Sequence, residues 1–247
     1  MHVRLATPDD VKEMASVAVA AYADDPQDAN IYPRRHARPD LFLKVKSDFM
    51  YHNFEDPAST AIVAVLDEDD QGWQGHPAVV GYCLWYLQDS ASQQGQEDEE
   101  VKESMIKRFT SYIMDSEVVD YVRDLVNPII DASHSRTIAQ VCRDPNSRRF
   151  KDGYVRPESF YGIYEIGVDP KFQRRGVARL MIAWGMQRSD KEQIPIHLSA
   201  TPAGQPLYAS LGFQTVGWWA WRPKQDDEWE IMQRDYVVEA PARDSAV

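Results

Sequence analysis

Residues 168–184 read VDPKFQRRGVARLMIAW. The apolar run that leads into them, FYGIYEIGV (160–168), reads as a strand, and Asp169–Pro170 stops it. From Gly176 to Arg188, Val177, Leu180, Met181 and Trp184 recur at helical spacing. The stretch is therefore a strand, a tight turn and a helix. Between Lys171 and Arg179 it carries four basic side chains and no acid, in a chain of formal charge −12. The unpaired N–H groups of a helix's first turn, aided by the helix dipole, form an anion site. Gly176 lets the backbone come close to a ligand, and Ala178 is small enough not to block it. Gln173, Arg174, Arg175 and Arg179 add donors and charge around the rim. The ligand this arrangement calls for is a phosphate or pyrophosphate.

Working outward, HVRLA (2–6) alternates as a short strand. Thr7 or Asp9 caps a helix over Asp9–Tyr22, with Val11, Met14, Ala15, Ala18 and Tyr22 on one side. The Pro-rich stretch after it reads as a loop. A second helix fits Asp40–Phe54, with Leu41, Val45, Phe49 and His52 sharing a face. TAIVAVLDED and AVVGYCLWYL make a hairpin over residues 60–87. Residues 89–159 change character and read as an insertion, partly helical, that opens with the acidic linker DSASQQGQEDEE. After the 176–188 helix come a strand at 194–200, a short helix stopped by Gly212, and two closing strands, QTVGWWAWR and EWEIMQRDYV. The order is that of an α/β mixed sheet in a single domain, 1–236, followed by a disordered tail, 237–247.

The length of 247 residues supports one large core, and no window reaches the apolar length of a membrane helix. The start shows no secretory pattern, so the chain reads as cytoplasmic. Cys83 and Cys142 have neither metal nor disulfide spacing, and no metal is called for. The acidic balance argues against nucleic acid as a partner and is compatible with an amine substrate.

The turn lacks both the nucleoside-triphosphate motif and the dinucleotide motif. Gln173-Arg174-Arg175-Gly176-Val177-Ala178 instead resembles the Q/R-x-x-G-x-G/A turn of the GCN5-related N-acetyltransferase (GNAT) superfamily. Leu207-Tyr208-Ala209-Ser210-Leu211-Gly212-Phe213, after the following strand, resembles that family's L-Y-x-x-x-G-F motif. The resemblance spans residues 1–88 and 160–236 and leaves out the insertion. It implies a mixed, mostly antiparallel central sheet flanked by helices, with the helical insertion ahead of the cofactor-binding strand. It implies acetyl-CoA as co-substrate, with no metal. Backbone groups on Ile166-Gly167-Val168 would pair with the pantetheine arm. The turn from Gln173 through Arg174, Arg175, Gly176, Val177, Ala178 and Arg179 would hold the pyrophosphate. Tyr208 would protonate the departing thiolate, as a phenol of ordinary pKa near ~10 suits that task.

Two positions depart from the family pattern. Thr201 stands where many members have a coenzyme-binding Asn, and Gly162 stands where the histone-acetylating branch has a glutamate base. Strand alternation places Tyr164 on the face of Gly162 and Ile166, and Glu165 on the other, which makes Glu165 a poor base. Tyr164 and Tyr32 are the candidate acceptor-site residues, Tyr32 because the loop between the first two helices borders that site in the resembled family. His197 titrates near neutral pH but, alone on a strand, is more often a packed residue. The expected reaction is acetyl transfer to the amine of a small molecule. The alternatives are a protein or peptide acceptor, through an N-terminus or a lysine, and a non-catalytic acyl-CoA sensor or scaffold. The insertion is either a lid over the acceptor site or a homodimer element.

Overall fold

In a computed structural model, residues 1–89, 129, 147–220 and 228–237 are described. Strand β1 (His2–Leu5) and a 3-10 turn at Pro8–Asp10 lead into helix α1 (Val11–Ala21). Two further helices follow, α2 (Pro26–Ile31) and α3 (Pro39–Glu55), then strands β2 (Ser59–Val65) and β3 (Val79–Asp89). Beyond lie β4 (Arg148–Phe150), β5 (Ser159–Val168), helix α4 (Val177–Glu192), β6 (Ile196–Ala200), helix α5 (Gln205–Ser210), β7 (Gln214–Ala220) and β8 (Glu228–Arg234).

The strands form one sheet in the order β1-β2-β3-β5-β6-β8-β7-β4. All neighbours are antiparallel except β5 and β6. The sheet is buried on both faces, which is why β2 and β3 read as unbroken apolar runs. On one face Ala61, Val63, Tyr82 and Leu84 meet Val11, Met14, Ala18 and Met50 of α1 and α3. On the other, Ile62, Ala64, Cys83 and Trp85 meet Val177, Met181 and Ile182 of α4. Gly185 makes that second contact close: a β-carbon there would lie 2.1 Å from the Trp85 indole.

Several expectations change. The loop between the first two helices holds α2, started by the Asp25 side chain, which accepts from the N–H groups of Gln27 and Asp28, with Pro26 at the first helical position. The buried stripe of α3 is Phe42, Val45, Lys46, Met50 and Asn53, and His52 is exposed. On α4, Leu180 faces outward at 39% exposure, and Ile182 and Gly185 take the inward positions. The described end of the insertion holds a strand not expected there: β4 pairs with β7, Arg148 opposite Trp219 and Phe150 opposite Gly217. The expected insertion helices, the charged turn at 221–227 and the tail from 238 onward lie outside the described residues. No helix among the described residues is long and apolar enough to cross a membrane.

Candidate active site

The parallel pair β5–β6 makes one registered contact, Tyr161 opposite Ile196. Beyond that point the strands part and leave an edge of β5 open from Gly162 onward. The ladder to β3 shows which groups face the gap. Asp169 N–H donates to the Val80 carbonyl, so in an antiparallel register Gly167 pairs with Tyr82, and the backbone groups of Ile166 and Val168 point away from β3. Both of those outward carbonyls have side-chain donors. The Tyr22 hydroxyl donates to Ile166 O at 2.7 Å, and Gln173 Nε2 donates to Val168 O at 3.2 Å.

The turn after β5 is held from several directions. The Asp169 carboxylate accepts from the Lys171 N–H at 2.9 Å, which starts the 3-10 turn Pro170–Phe172. Arg174 and Gly176 adopt the left-handed conformation, at φ 63° and 86°. The first α4 bond runs from Leu180 N–H to the Gly176 carbonyl, leaving the N–H groups of Val177, Ala178 and Arg179 without intrahelical partners. Among the described residues nothing lies within 4 Å of where a Gly176 β-carbon would sit, so the turn is unobstructed beside this glycine. The basic side chains are tied differently from one another. Arg175 donates to the Gln71 carbonyl at 3.0 Å and lies over the Phe172 ring. Arg179 donates to Ser210 Oγ at 2.8 Å, linking α4 to α5.

Helix α5 carries Tyr208. Thr201 Oγ1 accepts from the Gly204 N–H ahead of it, which fixes its entry. The Tyr208 ring packs edge-on against Phe213 and is 6% exposed. Burial, with a smaller contribution from nearby Cys83, pushes its phenol above the ordinary value. Burial also pushes the Tyr22 phenol up, and Glu165, Asp28 and Tyr208 add to that shift. The Tyr22 ring packs in the α1/α3 core and the Tyr208 ring in the α4 core.

The α1/α3 face of the gap holds residues that sequence reasoning missed. The β3–β5 register slips between Leu84 and Trp85, and Tyr164 is the extra residue. The slip breaks the alternation, so Glu165 does not face away: it lies on the face of Gly162 and Tyr164, while Ile166 packs on the α4 side. Lys46 Nζ lies 3.1 Å from Glu165 Oε2 and 3.0 Å from Asp28 Oδ2. The Asp28 contact lacks hydrogen-bond alignment. The Tyr82 hydroxyl also donates to Glu165. Lys46 sits over the Tyr22 ring at 4.7 Å. Burial opposes the Lys46 charge, but Glu165 and Asp28 outweigh it and raise the ammonium pKa. Two carboxylates share one lysine, leaving the cluster with one surplus negative charge.

Tyr32 is 7% exposed and packs on Phe42 beside this cluster. Tyr164 stacks on Tyr86 at 4.3 Å between centroids. Tyr86 lies across Gly162 and meets Phe160, which meets His197. Burial, then the Arg156 charge, lowers the His197 pKa to about 4, so this imidazole is neutral at pH 7. Among the described residues no three His, Cys, Asp or Glu side chains are grouped as metal ligands.

Residues 137–215 match the acetyltransferase (GNAT) domain family. An acetyltransferase from Stachybotrys chartarum is 24% identical over 216 residues, covering 87% of this chain and 81% of that protein. The fold is that of a Corynebacterium glutamicum structure described as histone acetyltransferase HPA2 and related acetyltransferase, at TM-score 0.54, 18% identity and coverage of 96% and 97% of the two chains. A polyamine N-acetyltransferase from Drosophila melanogaster superposes at TM-score 0.52 and 15% identity, covering 94% of this chain and 98% of its own. An arylalkylamine N-acetyltransferase from Aedes aegypti does so at 0.52 and 13%, covering 96% and 99%.

Proposed function

We propose that this chain, which belongs to the GNAT acetyltransferases, transfers the acetyl group of acetyl-CoA to the primary amine of a small molecule. One observation carries the reading: the open edge of β5, with its Ile166 and Val168 backbone groups facing the gap, ends in the donor-rich turn at Gly176. A pantetheine arm pairs along that edge as an added strand, and the diphosphate rests on the N–H groups of Val177, Ala178 and Arg179.

In this reading the neutral amine attacks the thioester carbonyl, and a main-chain amide near Val168 steadies the oxyanion. The carbon–sulfur bond then breaks, its electron pair passes to sulfur, and Tyr208 delivers the proton. The nitrogen loses one proton, which returns through water to the tyrosinate, so an amide and a free thiol leave. Burial raises the Tyr208 pKa, so the phenol carries its proton at neutral pH. The face of α1 and α3 receives the acceptor, since α4 and its core fill the other. The surplus negative charge around Lys46 favours a cationic amine over a neutral alcohol.

The test is thiol release from acetyl-CoA in the presence of an amine panel, after coenzyme A binding has been measured by calorimetry. Amine-dependent release is expected. Binding of the cofactor with no release for any amine would leave a binding protein in place of an enzyme.

A further inference from the structure

The α1/α3 face of β5 is charged oppositely at its two ends. At one end stands Glu165, whose side chain is 16% exposed and belongs to the cluster with one surplus negative charge. At the other end the Arg156 guanidinium lies 4.6 Å from the Phe160 ring centroid. Arg156 is an exposed residue, and among the described residues no carboxylate pairs with it. The groups that bear on its charge are its own desolvation, Tyr86, Arg148 and Tyr154, again with no carboxylate among them. Arg156 and Arg148 both push His197 toward its neutral form, so the local potential there is positive. Between the two ends runs an aromatic floor, Tyr164 to Tyr86 to Phe160. From Phe160 to Tyr164 the strand advances roughly 13 Å at ~3.3 Å per residue.

A guanidinium with its fork open matches a carboxylate or a phosphate in two-point geometry. A lone amine would use only the Glu165 end and leave Arg156 unanswered. We propose that the acceptor is an elongated primary amine with an anionic group at its far end, the ammonium entering at Glu165 and the anion held by Arg156. The inference rests on the acetyl-transfer reading and adds the substrate's second charge.

Three probes of matched length test it: 6-aminohexanoate, 6-aminohexanamide and n-hexylamine, with 6-aminohexyl phosphate to tell which anion is preferred. Calorimetry on the coenzyme A-loaded protein reads binding whether or not turnover occurs. One or both anionic probes should bind about ten-fold or more tightly than hexylamine, the size of a charge-assisted bond. Arg156→Gln should remove that preference and Arg156→Lys should keep part of it. In thiol-release assays the Arg156→Gln change should appear in KM, with kcat nearly unaltered.

Equal binding of the probes with and without a far-end anion, no binding of any probe, or an Arg156→Gln protein that keeps the preference would overturn the proposal. Equal thiol release with hexylamine and 6-aminohexanoate would overturn it while leaving acetyl transfer intact. An anion preference in binding without thiol release would instead count against acetyl transfer.

Discussion

The Tyr22 hydroxyl, at the C-terminal end of α1, donates to the Ile166 carbonyl 144 residues along the chain. This bond fixes the helix that borders the acceptor face to the strand edge proposed for the pantetheine arm. Tyr22→Phe deletes the donor and keeps the ring under Lys46. The change should cost about 1 kcal/mol in urea unfolding, because a partly buried carbonyl loses a partner. Unaltered stability would mean that water replaces the hydroxyl and that the edge is more open than the fold implies.

Tyr208→Phe isolates the proposed acid. Turnover should fall roughly 10²-fold while coenzyme A affinity stays nearly constant. Burial raises the Tyr208 pKa, so the protonated form extends above the ordinary phenol value near ~10. The kcat profile of the wild-type protein should therefore show no alkaline fall from this group below about pH 10. A fall near neutral pH that disappears in Tyr208→Phe would contradict the burial of the phenol.

Gly176 separates conformation from contact. Its φ of 86° is costly for any residue with a β-carbon, about 1–2 kcal/mol. The surrounding protein would not obstruct that carbon, since the space beside it is open. Gly176→Ala should lower stability by that amount and weaken coenzyme A further, as the methyl group enters the proposed diphosphate site. An alanine variant with reduced stability and intact coenzyme A affinity would move the diphosphate away from this turn.

The turn and the sheet around it were legible because their signals are strong and local: an apolar run, a Pro stop, a glycine, then helical spacing. The slip at Tyr164 was not, since one extra residue in a strand leaves no mark on its own sequence and shows only against β3. That slip reversed the side assigned to Glu165. Lys46 was missed because a lysine inside an apolar stripe reads as a surface break, and its partners Asp28 and Glu165 come from distant segments. Helix α2 did carry a signal, Asp25 followed by Pro26, hidden by the Pro-rich segment around it. For β4 there was none, as three residues are too few to show a period.

Two buried groups on the acceptor face should oppose each other in the pH dependence of stability. Burial raises the Asp28 carboxyl from 3.8 to about 6; Lys46 works against that shift and Glu165 adds to it. The native state therefore keeps a proton that the unfolded chain releases. The contribution is complete below pH 3.8 and is lost as pH rises through about 6. His197 runs the other way. Burial first, and then Arg156, lowers it from 6.5 to about 4, so its contribution is complete above pH 6.5 and is lost as pH falls through about 4. Each swing amounts to about 3 kcal/mol at most, and across pH 4 to 6 they largely cancel. Asp28→Asn should expose the His197 slope, with stability rising from pH 4 to 6.5. At pH 7 it should also gain about 1–3 kcal/mol, because Lys46 and Glu165 are left as a balanced pair. His197→Gln should expose the opposite slope. Lys46→Met, which strands two carboxylates, should lose about 3–5 kcal/mol at pH 7. Urea unfolding at pH 4, 5, 6 and 7 decides: parallel curves for wild type and Asp28→Asn would show that Asp28 titrates as an ordinary solvated carboxylate and that burial does not raise its pKa.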